Sequence, residues 1–130
     1  MALESSEPLR AVAAYRRALV GNPRLADAQC NLGRLLHEAG DVVAAEMHYR
    51  LALCADPRAA LYWFNLGVAI EDQGRASEAI AAYREAIACD PNLADAHFNL
   101  AGLLGRAGDI GSTREALRHL QAYKALRRAS

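Results

Sequence analysis

The sequence is poor in aromatic residues and in lysine, and it has no long apolar run. Phe, Trp and Tyr make up 6% of the 130 residues although hydrophobic residues make up 53%, and the only lysine is Lys124. No apolar stretch is long enough to cross a bilayer. The N-terminus lacks the basic segment and apolar run of a signal peptide. We therefore expect a cytoplasmic protein with no membrane partner.

Cysteine and net charge are also low, and each excludes a class of protein. Three cysteines without paired spacing argue against a disulfide framework. A net charge of +0 gives no overall attraction to nucleic acid. From Arg106 onward, six Arg or Lys residues face two Asp or Glu residues, so this end is +4 and the rest is −4. No aromatic residues interleave a basic stripe there, and we expect no nucleic-acid partner.

A repeat of 34 residues is the strongest feature that is present. Asn-Leu-Gly stands at 31–33 and 65–67, and Asn-Leu-Ala at 99–101. The same step relates Ala45 to Ala79, Tyr49 to Tyr83, Ala52 to Ala86 and Pro57 to Pro91. A fixed period of this size indicates a solenoid in which each repeat is one supersecondary unit. Tyr15, Ala18 and Pro23 continue the period backwards, which predicts an N-terminal half repeat.

Each repeat has the pattern of two helices. Leu66, Ala69 and Ile70 have the spacing of one helical face, and Gly74 follows as a stop signal. A second apolar series ends at Asp90-Pro91, because the residue before proline is disfavoured in helix. We predict helices at roughly 7–20, 26–39, 42–55, 60–73, 76–89, 94–107 and 113–128, antiparallel because their loops are short. The single domain of 1–130 then comprises roughly a half repeat at 7–25 and repeats at 26–59, 60–93 and 94–130.

The last repeat departs from this pattern. Glu115-Ala116 comes three residues later than Glu78-Ala79 predicts. Ser112 and Glu115 have the spacing of a capping box, which would begin the last helix there. We interpret its polar, basic end as a terminal cap of the solenoid.

These residues resemble the tetratricopeptide repeat family. Its pattern is matched in order by Trp63, Leu66, Gly67, Ala79, Tyr83, Ala86 and Pro91. The first and third repeats depart from it with Gln29 and His97 at the aromatic position, and the third has Ala101 for the glycine. The resemblance implies an all-α solenoid of helix pairs stacked into a right-handed superhelix. The first helix of each pair would line a concave face.

The resemblance, with the helical spacing, predicts a peptide-binding groove on the first helices. Its residues are Asn31, Arg34, Leu61, Phe64, Asn65, Val68, Asp95, Phe98 and Asn99. Three asparagines one repeat apart could hold an extended peptide backbone, since an amide both donates and accepts. The set is similar to the asparagine ladder of O-linked N-acetylglucosamine transferases. The alternative is that these asparagines only bridge neighbouring helices.

Other sites find less support in the sequence. The family's carboxylate clamp needs groove lysines, but Cys30 stands at the lysine position. The glycines at 102, 105, 108 and 111 lack the lysine of a phosphate-binding loop. His48 and His119 occupy equivalent positions in second helices, where we expect them at the surface. We predict no metal, no cofactor and no enzyme activity.

The sequence thus predicts a protein–protein interaction module that binds a peptide or helix. One alternative is a homo-oligomeric structural module that assembles through its terminal helices, because the first helix lacks a partner helix. The other is a regulatory or substrate-docking domain of a larger enzyme or transcription regulator.

Overall fold

Every regular element in the part of the chain that the structure describes is an α-helix. The structure is a computed structural model that describes residues 23–129. Its helices are α1 (Pro23–Glu38), α2 (Val42–Ala55), α3 (Ala60–Glu71), α4 (Ala76–Cys89), α5 (Ala94–Ala107) and α6 (Ile110–Ala129). The all-α class is confirmed, and six predicted helices have counterparts. The helix predicted at 7–20 and most of its half repeat lie outside the described residues.

A glycine follows the first helix of each repeat within three residues of its end, as the sequence predicts. Gly40, Gly74 and Gly108 have φ angles of 92°, 78° and 80°. Side chains other than glycine rarely adopt this left-handed conformation. The three glycines therefore reverse the chain tightly between α1 and α2, between α3 and α4, and between α5 and α6.

The second helices of the first two repeats end at an Asp-Pro pair. Asp56 and Asp90 have φ angles of −140° and −143°, the extended conformation that a following proline imposes. Their backbone N–H groups still donate to the carbonyls of Ala52 and Ala86. The helix is thus closed by one last hydrogen bond before the chain leaves it.

The described residues divide into two compact units between Arg58 and Ala59. The first holds α1 and α2, which pack against each other around Ala26, Ala45 and Tyr49, all at most 1% exposed. A Cβ on Gly33 would lie 2.7 Å from Cε1 of Tyr49, closer than carbon atoms approach. Glycine is therefore what allows the tyrosine ring to lie directly on α1.

In the second unit, α3 packs on α4, α4 on α5, and α5 on α6. Its core is built mainly from small and branched residues: Leu66, Ala69, Ile70, Ala79, Tyr83, Ala86, Ala96 and Leu100, all at most 2% exposed. Alanine at so many contacts allows close helix approach and favours the helical state. Gly67 repeats the arrangement of the first unit, since its Cβ would lie 2.6 Å from Cε1 of Tyr83.

The start of α6 corrects the sequence prediction. The helix begins at Ile110 rather than near residue 113, and its N-terminal cap is Asp109 rather than Ser112. Asp109 Oδ1 accepts from the Ser112 N–H and Oδ2 from the Ser112 hydroxyl, both at 2.7 Å. The Ser112–Glu115 capping box is wrong, because Glu115 instead binds Arg84 of α4 at 2.9 Å.

Candidate functional site

A chain of polar side chains centred on Tyr83 joins three helices of the second unit. The Tyr83 hydroxyl donates to Oε1 of Glu71 on α3 at 2.7 Å and accepts from Nδ2 of Asn99 on α5 at 3.3 Å. Burial raises the pKa of Tyr83 well above its usual range, and the hydrogen bond to Glu71 raises it further. The hydroxyl therefore stays protonated and keeps its donor role toward Glu71.

Asn99 is only partly engaged by this chain. One N–H of its amide binds Tyr83, while its carbonyl oxygen makes no hydrogen bond to the described residues. The side chain is half-buried, and an Asn amide offers two donors and one acceptor. The structure thus contains the helix-bridging role named as an alternative above, and it leaves an acceptor and a donor beyond that role.

Two aromatic rings flank Tyr83 and Asn99. The half-buried ring of Phe64 lies 5.8 Å from the Tyr83 ring, centroid to centroid. Phe98, one residue before Asn99, lies 5.0 Å from the ring of Tyr123 on α6. Phe98 is nevertheless 52% exposed, so one side of its ring packs against α6 and the other side is open to solvent.

The charges near this site are mixed. The Arg106 guanidinium lies 4.0 Å from Oε2 of Glu71, with side-chain exposures of 73% and 26%. An ion pair this long and this exposed contributes little stability. Asp95, at the start of α5, is also exposed. The site therefore presents apolar, amide and charged groups side by side rather than a field of one sign.

None of the nine predicted groove residues lies in the buried core. Asn31, Arg34, Leu61, Asp95 and Phe98 are exposed, and Phe64, Asn65, Val68 and Asn99 are half-buried. Asn31 and Arg34 belong to the first unit and the other seven to the second. Within the second unit, Tyr83 contacts both Phe64 and Asn99. A ligand-binding role for the nine residues remains a prediction.

Two residues of this site were missed by sequence reasoning. Tyr83 enters the sequence analysis only as a position of the repeat, and Tyr123 is not among the nine predicted groove residues. The recurrence of tyrosine at 49 and 83 was the available signal. The spacing of Cys30 placed it on the groove side of α1, but Cys30 is 3% exposed. It therefore lies in the core of the first unit.

The expectation that His48 and His119 lie at the surface is wrong for both. His48 is 9% exposed, and its Nδ1 lies 2.5 Å from Oε1 of Gln29 on α1. His119 is half-buried, and its Nδ1 lies 2.8 Å from Nδ1 of His97 on α5. Each histidine of a second helix thus contacts the residue that replaces the aromatic in the first helix.

Within residues 23–129, no three His, Cys, Asp or Glu side chains converge on a point where a metal ion would be held. None of the six described helices combines the length and the apolar character of a membrane span.

Comparison with protein families finds two matches on this chain. A model described as tetratricopeptide repeat matches residues 2–57, and one described as TPR repeat matches residues 72–108. Together they span most of the sequence, including both units. No curated protein matches the chain closely enough to count as a relative.

Solved structures with a similar fold extend this result. The R50E mutant of MamA aligns with a TM-score of 0.73 at 24% identity, covering 95% of this chain and 88% of that one. The second TPR of Spaghetti (RPAP3), bound to the HSP90 peptide SRMEEVD, aligns with a TM-score of 0.74 at 21% identity, covering 81% and 94%. The type III secretion translocator chaperone SycD from Yersinia enterocolitica aligns at 0.70 and 18% identity, covering 79% and 75%. These likenesses establish the fold.

Proposed function

The chain belongs to the tetratricopeptide repeat family, and from this premise we propose that it is a protein-interaction module that binds a peptide or helix. The observation that supports this most directly is the surface around Tyr83. A half-used amide on Asn99 stands beside an open ring on Phe98, and both are held by contacts to neighbouring helices.

The chemistry of this surface suits an extended peptide. A peptide backbone offers an N–H and a carbonyl at each residue, and the free carbonyl oxygen of Asn99 can accept one such N–H. The open side of Phe98 can cover an apolar side chain of the ligand. Leu61, Phe64, Asn65, Val68 and Asp95 complete the set that we propose for binding in the second unit. We propose Asn31 and Arg34 as ligand contacts of the first unit.

Two of the similar structures are consistent with a protein or peptide partner. The second TPR of Spaghetti (RPAP3) is bound to a peptide, and SycD is a chaperone. The acidic peptide of the first is not assumed for this chain, because the only lysine here is Lys124 on α6. We propose no catalytic role, and the cytoplasmic location remains a prediction.

A peptide-display selection followed by calorimetry tests this function. The full chain would select peptides from a random library, and the best peptide would be titrated against the wild type, Asn99→Ala and Phe98→Ala. We expect each substitution to weaken binding about tenfold or more, since exposed aromatic anchors and directional hydrogen bonds dominate such contacts. Circular dichroism would show that both variants remain helical.

Leu117→Ala provides the matched control. Leu117 is 55% exposed, like Phe98, but lies on α6 outside the proposed set. Its truncation should leave affinity unchanged. Equal affinity of the wild type, Asn99→Ala and Phe98→Ala for every selected peptide would rule out this surface as the binding site.

A second candidate function is self-assembly, and exposed side chains on α6 favour it. Ile110 and Leu117 are 74% and 55% exposed and lie seven residues, or two turns, apart on one side of the helix. A second copy could cover this pair. Light scattering of the wild type and Leu117→Glu would test this, with a dimer that dissociates in the variant as the supporting result. The role of a docking domain in a larger protein remains a prediction.

A further inference from the structure

The histidine pair between α5 and α6 has an arrangement that the proposed binding function does not use. Nδ1 of His97 and Nδ1 of His119 lie 2.8 Å apart, with ring centroids at 5.0 Å. The other nitrogen of His97 lies 2.8 Å from the backbone carbonyl of Pro91. The other nitrogen of His119 lies 3.5 Å from Oε2 of Glu115, one turn earlier on α6.

These partners determine where the protons lie. A carbonyl oxygen can only accept, so Nε2 of His97 carries a proton and, in the neutral ring, Nδ1 carries a lone pair. That lone pair accepts the proton on Nδ1 of His119. If His119 then takes one more proton, on Nε2, that N–H faces the carboxylate of Glu115. The pair therefore has a complementary partner for every ring nitrogen when it holds one extra proton.

A second extra proton has no such place. It would have to bind Nδ1 of His97, where two N–H groups would then point at each other across 2.8 Å. Two imidazolium charges would also lie with their centroids 5.0 Å apart. Glu115 is an anion that faces His119, and it is already shared with Arg84 of α4. Arg118 on α6 adds a further positive charge.

We propose that His97 and His119 form a proton-sensitive contact between α5 and α6, closed with no or one extra proton and opened by the second. The pair is a proton site rather than a metal site, because its third candidate ligand, Glu115, lies on the Nε2 side of His119. The three donors therefore do not converge on one point.

The direction of the pH effect follows from the surroundings of His119. Burial lowers the pKa of His119, and the charge of His97 lowers it further, while Glu115 acts in the opposite direction. A lowered pKa means that the unfolded chain binds the proton at higher pH than the folded chain does. The folded chain therefore binds the first extra proton less readily than the unfolded chain does, and the second finds no acceptor across the 2.8 Å contact. Both effects make the contact most stable above about pH 6.5, the ordinary histidine value, and weaken it as pH falls.

Only the last of the three repeats has a histidine at both of these positions. The first repeat has Gln29 and His48 there, and the second has Trp63 and Ala82. His48 can bind an extra proton on Nε2 while its Nδ1–H continues to donate to Oε1 of Gln29. Protonation therefore leaves that hydrogen bond intact, whereas the second proton on the histidine pair removes one.

Hydrogen exchange of the full chain, with the histidine rings followed by NMR, tests the proposal. Between about pH 7.5 and about pH 5, we expect protection factors of α6 amides to fall about tenfold or more, with those of α3 changing little. In His97→Gln, which copies the Gln29–His48 pair, the fall should largely disappear. His119→Gln serves as a second variant if the first does not fold at neutral pH.

His48→Gln removes the buried histidine of the first unit and should leave the pH response of α6 unchanged. An unchanged protection of α6 down to about pH 5 would overturn the proposal. A wild-type pH response in both His97→Gln and His119→Gln would overturn it equally, because another group would then be responsible.

Discussion

The two helix pairs of the second unit, α3–α4 and α5–α6, have residues of different sizes at equivalent positions. In α3–α4, the ring of Tyr83 lies on Gly67. In α5–α6, the equivalent positions hold the larger Ala101 and the smaller Leu120. A second pair of positions shows the same exchange. Trp63 and Ala82 of α3–α4 are replaced by the smaller His97 and the larger His119 in α5–α6. The comparison indicates that the summed size of the residues at each pair of equivalent positions is kept, rather than the identity of either residue.

Enlarging only one member of such a pair should cost the protein the most stability. Gly67→Ala places a methyl group 2.6 Å from Cε1 of Tyr83, whose side chain is fully buried. Since neither α3 nor the ring can move freely, we expect a loss of about 2–3 kcal/mol in the free energy of unfolding, as for other overpacked cores. Urea denaturation monitored by circular dichroism would measure it.

The double variant Gly67→Ala/Tyr83→Leu tests whether a smaller residue at position 83 compensates for a larger one at position 67. It copies the Ala101 and Leu120 pair, so the two substitutions should be less damaging together than the sum of their separate effects. A coupling energy near zero would show that the glycine and the tyrosine do not depend on each other, and would contradict the interpretation of the repeat pairs.

A smaller effect is expected from the hydroxyl that only the α3–α4 pair supplies. Tyr83→Phe keeps the ring on Gly67 but removes the link from Glu71 to Asn99. We expect a loss of about 1–2 kcal/mol, because a buried hydrogen bond to a carboxylate disappears while the half-buried Glu71 can still reach water. Thermal unfolding would measure the loss, and a stability equal to that of the wild type would show that the hydroxyl contributes only to the placement of Asn99.

The parts of this fold that could be predicted from sequence are those set by local rules. Gly40, Gly74 and Gly108 end helices because of a backbone conformation that depends on the glycine itself. The Asp-Pro pairs act in the same local way. The start of α6 could not be predicted correctly, because Asp109 and Ser112 both have the chemistry of a cap. Only the geometry shows that Asp109 accepts from Ser112.

The candidate site shows the same division. Repeat spacing was enough to place Phe98 and Asn99 on a face that is not buried. The hydroxyl of Tyr83 could not be assigned a partner, since Glu71 and Asn99 lie 12 and 16 residues away on different helices. The histidine pair was missed for the same reason. His97 and His119 are 22 residues apart, and each reads as an isolated substitution in its own helix.

Substitution by alanine should distinguish a glycine that the packing requires, such as Gly67, from one that it does not, such as Gly102. A Cβ on Gly102 would meet nothing within 4 Å, in contrast to one on Gly67. Gly102 lies inside α5 with an exposed surface, so Gly102→Ala should raise the free energy of unfolding by about 0.5–1 kcal/mol through helix propensity. The same substitution would then have opposite signs in two neighbouring repeats. A destabilised Gly102→Ala in urea denaturation would contradict this.

The smallest expected effect concerns the cap that distinguishes the last helix pair. Hydrogen bonds from the N–H and hydroxyl of Ser112 lower the pKa of Asp109. A lowered pKa means that the cap stabilises the fold above the ordinary aspartate value of about 3.9 and loses this effect as pH falls through the folded value. Asp109→Ala should therefore lower the melting temperature slightly at neutral pH. The difference from the wild type should shrink in acid.

Asp109→Asn keeps an acceptor for the Ser112 N–H without a titrating group, so its loss of melting temperature should be smaller than that of Asp109→Ala. Equal losses for the two variants would show that the charge, rather than the hydrogen bond, is what stabilises the start of α6.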